Sequence, residues 1–151
     1  MKGAMASSSL DHTPTHLILY DGLCGLCNRL NQFVLRRDRA GDFKFASQQS
    51  HFGQSVLLGY GKNREELDTL YVVADYGEAS ARLLSKSSAA LFILGELGAP
   101  RRLAFVLRIF PRRLLDWAYD IVARNRYRIL GRYDSCPPPG PNQRSRFLDV
   151  P

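Results

Sequence analysis

The stretch from Tyr20 to Asp38, "YDGLCGLCNRLNQFVLRRD", places two cysteines three positions apart where an apolar run gives way to a helical pattern. The run "HLILY" before it has the character of a buried strand, and Asp21-Gly22 is typical of a turn. From Leu23 onward, apolar residues recur at helical spacing, and Gly41 is expected to close the helix. The segment therefore predicts a strand, a turn and a helix whose first turn carries the cysteine pair.

Length and composition indicate one ordinary globular domain. The chain has 151 residues, of which 45% are hydrophobic and 23% charged. Its three cysteines are too few for a secreted disulfide framework. It has neither a run of about 18 apolar residues nor the apolar region of a secretory signal. We therefore expect a cytoplasmic protein, in a reducing compartment where a CxxC pair is more often catalytic or metal-binding than structural.

The order of the predicted elements indicates the fold. A second strand is expected at about 43–47, a short helix at about 50–60 and a hairpin at about 69–84. A helix capped by Ser87 or Ser88 follows, and then two helices separated at Pro111. A βαβ unit with CxxC at its first helix, completed by a hairpin and a helix, is the thioredoxin-like plan. We predict an α/β, thioredoxin-like protein with a four-stranded mixed sheet, flanking helices and extra C-terminal helices.

The domain organisation is expected to be simple. Residues 1–15 are predicted to be a flexible leader, and residues 16–151 a single thioredoxin-like domain. That domain includes a helical extension at about 101–132 and a proline-rich tail.

The cysteine pair favours redox chemistry because a helix N-terminus stabilises a thiolate. Cys24 is expected to face solvent and act as the nucleophile, while Cys27 lies beneath it as the resolving thiol. Asp21 ends the preceding strand and is the candidate proton acceptor for Cys27. Gly22 and Gly25 leave room for the backbone of a partner.

Two other interpretations of the pair remain open. A closed zinc site needs four ligands, and there is no second CxxC and no HxxxH to supply them. Both cysteines might instead be inert small residues of the core, although the strand–turn–helix context argues against this. We expect no metal and no separate cofactor, since the Cys24–Cys27 disulfide is itself the redox group.

Two further residues are possible secondary members of the site. Lys86 follows the predicted fourth strand, and it would lower a thiol pKa if it lay within about 4–6 Å; otherwise it belongs to a helix cap. Cys136 is either a buried residue where the tail docks or a third redox participant, and the first reading is favoured because it has no local partner.

The cysteine segment resembles the signature of the DCC family of predicted thiol–disulfide oxidoreductases, which is named for an Asp-Cys-Cys pattern. In this chain the pattern is matched by Asp21, Cys24 and Cys27. The similarity continues through "FKFASQQS", "LSKSSAAL", "NRYRILG" and the cysteine–proline step at Cys136, and covers roughly residues 16–148. It implies a thioredoxin-like fold and dithiol–disulfide exchange, with a protein or a small thiol as partner.

The chain departs from ordinary thioredoxins in one respect. They carry a cis-proline before the third strand, whereas this chain has no proline between Pro14 and Pro100. The substrate groove must be formed otherwise, and Asp68 and Thr69 are the candidates.

The net charge of +7 is concentrated between Arg101 and Arg132, which hold nine arginines and two aspartates. We expect the arginines to form a solvated face and the apolar residues to form the core. The alternative function is a non-catalytic module that docks on an anionic membrane surface or an acidic protein through these helices. Nucleic-acid binding is less favoured, although aromatic residues lie among the arginines. The predicted core residues are Leu114, Leu115, Ala118, Ile121 and Val122, and the aromatic residues are Trp117, Tyr119 and Tyr127.

Overall fold

A computed structural model describes residues 15–63, 69–132, 134 and 139–149. The expectations for the leader, for Asp68 and for Cys136 lie outside these residues, except that Thr15 is described. The strands are β1 (His16–Tyr20), β2 (Phe43–Ser47), β3 (Tyr71–Ala74) and β4 (Arg82–Ser85). The helices are α1 (Gly25–Arg37), α2 (His51–Gly59), α3 (Lys86–Glu96), α4 (Arg101–Ile109) and α5 (Arg112–Leu130), and a 3₁₀ turn covers Arg144–Arg146.

The strands form one mixed sheet in the order β2-β1-β3-β4. β1 runs parallel to β2, with His16 opposite Phe43, and antiparallel to β3, with Leu17 opposite Val73. β4 completes an antiparallel hairpin with β3. The predicted four-stranded mixed sheet is confirmed, and its arrangement is consistent with a thioredoxin-like fold.

The central strand β1 separates two apolar layers because successive side chains of a strand point to opposite faces. Ile18 and Tyr20 pack on the side of α1 and α3, together with Phe45. Leu17 and Leu19 pack on the other side, in the cluster that contains residues of α2. With both faces covered, β1 is buried along its whole length, as its continuous apolar sequence predicts.

The structure corrects the predicted end of α1. The helix ends at Arg37 and not at Gly41, because the buried carboxylate of Asp38 organises the following turn. Asp38 accepts backbone hydrogen bonds from Gly41 and from Phe43, at 3.1 and 2.8 Å. The Asp38 carboxylate also accepts a hydrogen bond from the guanidinium of Arg146, and this contact links the C-terminal segment to the turn.

The predicted start of α3 is also wrong. The helix begins at Lys86 with Ser85 at the cap, and not after Ser87 or Ser88. The Ser87 hydroxyl is used elsewhere, since it donates to the carboxylate of Asp116 on α5. Tertiary contact with α5 therefore replaces the predicted local cap.

The orientation of α5 differs from the one predicted. Of the residues expected in the core, Leu115 is half-buried, while Leu114, Ala118, Ile121 and Val122 are exposed. The inward side instead carries polar groups: Asp116 meets Ser87 as described, Asp120 pairs with Lys86, and Arg126 is buried. The expectation that all the arginines form a solvated face is therefore wrong for Arg126. Within the described residues, no helix is both long and apolar enough to cross a membrane.

Two glycines of α2 test how closely this helix approaches the sheet. A Cβ on Gly53 would lie 2.1 Å from the carbonyl oxygen of Ser47, whereas one on Gly59 would meet nothing within 4 Å. We expect Gly53→Ala to lower the free energy of unfolding by at least about 2 kcal/mol, because backbone must move. Gly59→Ala, the matched control, should change it by less than about 1 kcal/mol. Urea denaturation measures both, and equal effects would contradict this close approach.

Candidate active site

The cysteine pair lies at the junction of β1 and α1. Cys24 is the N-cap residue of α1, and its backbone is extended. Its sulfur accepts a hydrogen bond from the backbone N–H of Cys27, with 3.4 Å between the two atoms. Both cysteines are free thiols. The predicted strand, turn and helix around the pair therefore form.

Cys24 does not face solvent, in contrast to the prediction. The residue is 0% exposed and Cys27 is 9% exposed. The cover is the chain itself, since Cys24 forms an isolated antiparallel bridge with Arg132 just after α5. The N–H of Gly25 donates to the carbonyl of Gly131 at 3.3 Å. The dithiol is therefore closed from outside by the residues that end α5.

Gly25 permits this closure. A Cβ at this position would lie 2.3 Å from the carbonyl oxygen of Leu130. The room that glycine was predicted to leave for a partner is therefore occupied by the backbone of the same chain.

The two thiols have opposite acidities. The pKa of Cys24 is lowered from 9.0 to about 6, mainly because the Cys27 side chain hydrogen-bonds to the Cys24 sulfur, and this outweighs the burial of the sulfur. The backbone of Cys27 and the positive charge of Arg126 contribute to the same shift. The same contact between the thiols and burial raise the pKa of Cys27 well above its ordinary range. Cys24 is therefore the thiol that ionises first.

A buried ion pair adjoins the dithiol. The Nη2 atom of Arg126 lies 3.0 Å from Oδ2 of Asp21, and both side chains are 4% exposed. The hydroxyl of Tyr127 also donates to Oδ2. The other carboxylate oxygen accepts from the Gln49 side chain at 2.7 Å and from the N–H of Leu23 at 3.0 Å. Asp21 thus links the end of β1 to α5.

Sequence reasoning missed Arg126 and the glutamines that follow β2. Gln48 donates to the carbonyls of Leu19 and Thr69, and so joins β1 to the residues before β3. The sequence held one signal for these residues, because they lie in "NRYRILG" and "FKFASQQS", two of the segments in which the chain resembles the DCC family. Their roles were not recognised because arginine and glutamine usually lie at the surface.

The structure describes two of the other candidate residues, Lys86 and Thr69. The Nζ atom of Lys86 is 3.1 Å from a carboxylate oxygen of Asp120, so the cation that acts on the thiols is Arg126. Thr69 lines a cavity of about 370 Å³ together with Lys86 and Arg126. A smaller apolar cavity of about 70 Å³ adjoins Cys27. The proposed roles of Lys86, Thr69 and Cys136 stay predictions.

Comparison with known proteins agrees with the site. The model of the family described as DCC1-like thiol-disulfide oxidoreductase matches residues 18–132. The chain is 33% identical to "Uncharacterized protein YuxK" of Bacillus subtilis (strain 168) over 138 residues, which cover 91% of this chain and 97% of that protein. It is 34% identical to "DCC family protein At1g52590, chloroplastic" of Arabidopsis thaliana over 131 residues, covering 86% and 73%. No solved structure matches the chain significantly.

The contact between the thiols predicts how Cys24 titrates. In a reduced Cys136→Ser background, the ultraviolet absorbance of the thiolate should rise with a midpoint at pH about 6. Cys27→Ala removes the S–H donor and should raise the Cys24 pKa by at least about one unit. Arg124→Gln, which removes an exposed charge from α5, should leave the midpoint unchanged. A wild-type midpoint near 9.0, the ordinary value, would contradict the assignment.

Proposed function

The chain belongs to the DCC1-like thiol-disulfide oxidoreductase family, and we propose that it exchanges the Cys24–Cys27 dithiol for a disulfide with a protein or small-thiol partner. The observation that carries the proposal is the pairing of an acidic Cys24 at the N-cap of α1 with a Cys27 that keeps its proton. Cys24 is the thiol that attacks, and Cys27 keeps its proton until the second step. An exchange reaction needs this division of roles.

The proposed reaction has two steps. The Cys24 thiolate attacks a disulfide of the partner, forms a mixed disulfide and releases one partner sulfur as a thiolate. Cys27 then loses its proton and attacks the Cys24 sulfur, so that the Cys24–Cys27 disulfide forms and the second partner thiolate leaves. Two electrons pass from the protein to the partner. The reverse sequence oxidises a dithiol, and the relative reduction potentials decide the direction.

Asp21 and Arg126 are the proposed supporting residues. The backbone of Asp21 contributes a hydrogen bond to the Cys27 sulfur, so this residue adjoins the thiol that must lose a proton. The Asp21 carboxylate is the proposed acceptor of the Cys27 proton. Arg126 lowers the pKa of both thiols through its charge and favours the thiolate in each step. The Asp21 carboxylate holds Arg126 in place for this role.

Exchange also requires the dithiol to open. The residues after α5 must leave Cys24 before a partner disulfide reaches its sulfur. The 3.3 Å contact between Gly25 and Gly131 is a long hydrogen bond, so its loss costs little. In the proposed complex, the backbone of the partner takes the place of Leu130 and Gly131 above Gly25.

Cysteine variants test the proposal through exchange with oxidised glutathione. Cys24→Ser should abolish exchange, while Cys27→Ser should accumulate a stable mixed disulfide because no thiol is left to resolve it. Cys136→Ser is the matched control and should keep most of the activity. The wild-type couple should have a reduction potential between roughly −120 and −270 mV.

Two results would overturn the proposal. A wild-type rate no higher than that of Cys24→Ser would favour the non-catalytic alternative. Tight binding of one zinc ion per chain, lost in both the Cys24→Ser and the Cys27→Ser variants, would favour a metal site instead.

A further inference from the structure

The helices α4 and α5 carry large apolar side chains that nothing in the described chain covers. Phe105 is 67% exposed, Ile109 66% and Trp117 61%. Both faces of the sheet are covered by the two apolar clusters described above, and none of these three side chains belongs to either cluster. We call this surface the outer face, and its members are Phe105, Val106, Ile109, Phe110, Leu114, Trp117 and Ile121.

The charges beside the outer face are almost all positive. Both acidic residues of the segment are paired with residues of α3: Asp116 accepts a hydrogen bond from Ser87, and Asp120, whose side chain is 38% exposed, pairs with Lys86. The arginines around them, apart from the buried Arg126, are exposed. They are Arg101, Arg102, Arg108, Arg112, Arg113, Arg124, Arg128 and Arg132. Whatever covers the outer face must therefore bind apolar side chains and neutralise arginines.

The helix α4 is weakly held by the part of the chain that the structure describes. It has nine residues, and no side chain caps its N-terminus. Among its described side chains only Leu107 is partly buried, and it lines a cavity of about 250 Å³ together with Leu91 and Leu94 of α3. A helix this short is marginal in water without a surface to pack on. Its side chains Phe105 and Ile109 have no such surface among the described residues.

We propose that the outer face docks on the surface of a membrane that contains anionic lipids. Its apolar side chains would enter the boundary between headgroups and acyl chains, while the arginines reach the lipid phosphates. A second copy of the chain fits less well, because it would bring arginines against arginines, and both aspartates of the segment are already paired within the chain. An acidic protein would match the charge. It would also need pockets for side chains spread over two helices, whereas a fluid interface accommodates them without a matched shape.

The fluorescence of Trp117 reports docking directly, since it is the only tryptophan of the chain. Full-length reduced protein is mixed with phosphatidylcholine vesicles that contain about one third phosphatidylserine, or none. We expect a blue shift and co-sedimentation with the anionic vesicles alone. Both should weaken sharply as salt is raised.

Matched variants separate this face from net charge. Replacing Arg101, Arg102 and Arg108 of α4 by glutamine should weaken binding roughly hundredfold or more. The control replaces Arg29, Arg36 and Arg37, which are exposed on α1, and should weaken it much less. Phe105→Ser with Ile109→Ser should also weaken binding, whereas Leu58→Ser on α2, where Leu58 is 58% exposed, should not.

Several results would overturn the proposal. The first is the absence of a blue shift with anionic vesicles, and the second is equal binding to neutral and anionic vesicles. The third is an equal loss of vesicle binding in the triple arginine variant of α4 and the triple arginine variant of α1. A blue shift that depends on protein concentration alone would identify a second copy, and a response to polyglutamate without one to vesicles would identify an acidic protein. Cys24→Ser should bind vesicles as the wild type does, so docking and thiol exchange fail or succeed separately.

Discussion

The buried ion pair between Asp21 and Arg126 is the interaction on which the rest of the site depends. It joins the end of β1 to α5 across most of the sequence, and both side chains are almost completely removed from water. Desolvating two charges is costly unless each finds its partner, so loss of either one should cost about 3–5 kcal/mol. The pair therefore fixes where α5 lies, and with it the residues that close the dithiol.

The unusual orientation of α5 follows from the same pair. Side chains one or two turns apart share a helix face, and Arg126 lies on the face that also carries Tyr119. Tyr119 accepts a hydrogen bond from the N–H of Leu70, and burial raises its pKa to about 12. Once these polar groups point inward, Leu114 and Ile121 are carried to the opposite side. The apolar side chains of α5 are therefore exposed because the polar contacts of Arg126 and Tyr119 turn the opposite side of the helix inward.

The sheet was predictable because its signals are local. The apolar run of β1, the spacing of the cysteines and the turn at Asp21 each lie within a few residues, and they agree with one another. The C-terminal end of α1 was not predictable. Asp38 ends the helix by accepting hydrogen bonds from the backbone N–H groups of Gly41 and Phe43, and helical periodicity does not reveal such contacts.

The contacts between distant segments were not predictable. Helical periodicity shows that α5 has two faces, but only the partner of Arg126 decides which one points inward. The burial of Cys24 depends on residues more than a hundred positions away, around Arg132. Asn31 is a polar residue of α1, yet it is buried, and its amide has no hydrogen-bond partner among the described residues.

A double-mutant cycle tests the ion pair most directly. The free energy of unfolding is measured by urea denaturation for Asp21→Asn, Arg126→Gln and the double variant, with Lys86→Gln and Asp120→Asn as the cycle for a half-exposed pair. The account predicts that the double variant loses at least about 1 kcal/mol less than the sum of the single losses. The control pair should couple by less than about 1 kcal/mol. Losses at Asp21 and Arg126 that add to within about 0.5 kcal/mol would contradict the account.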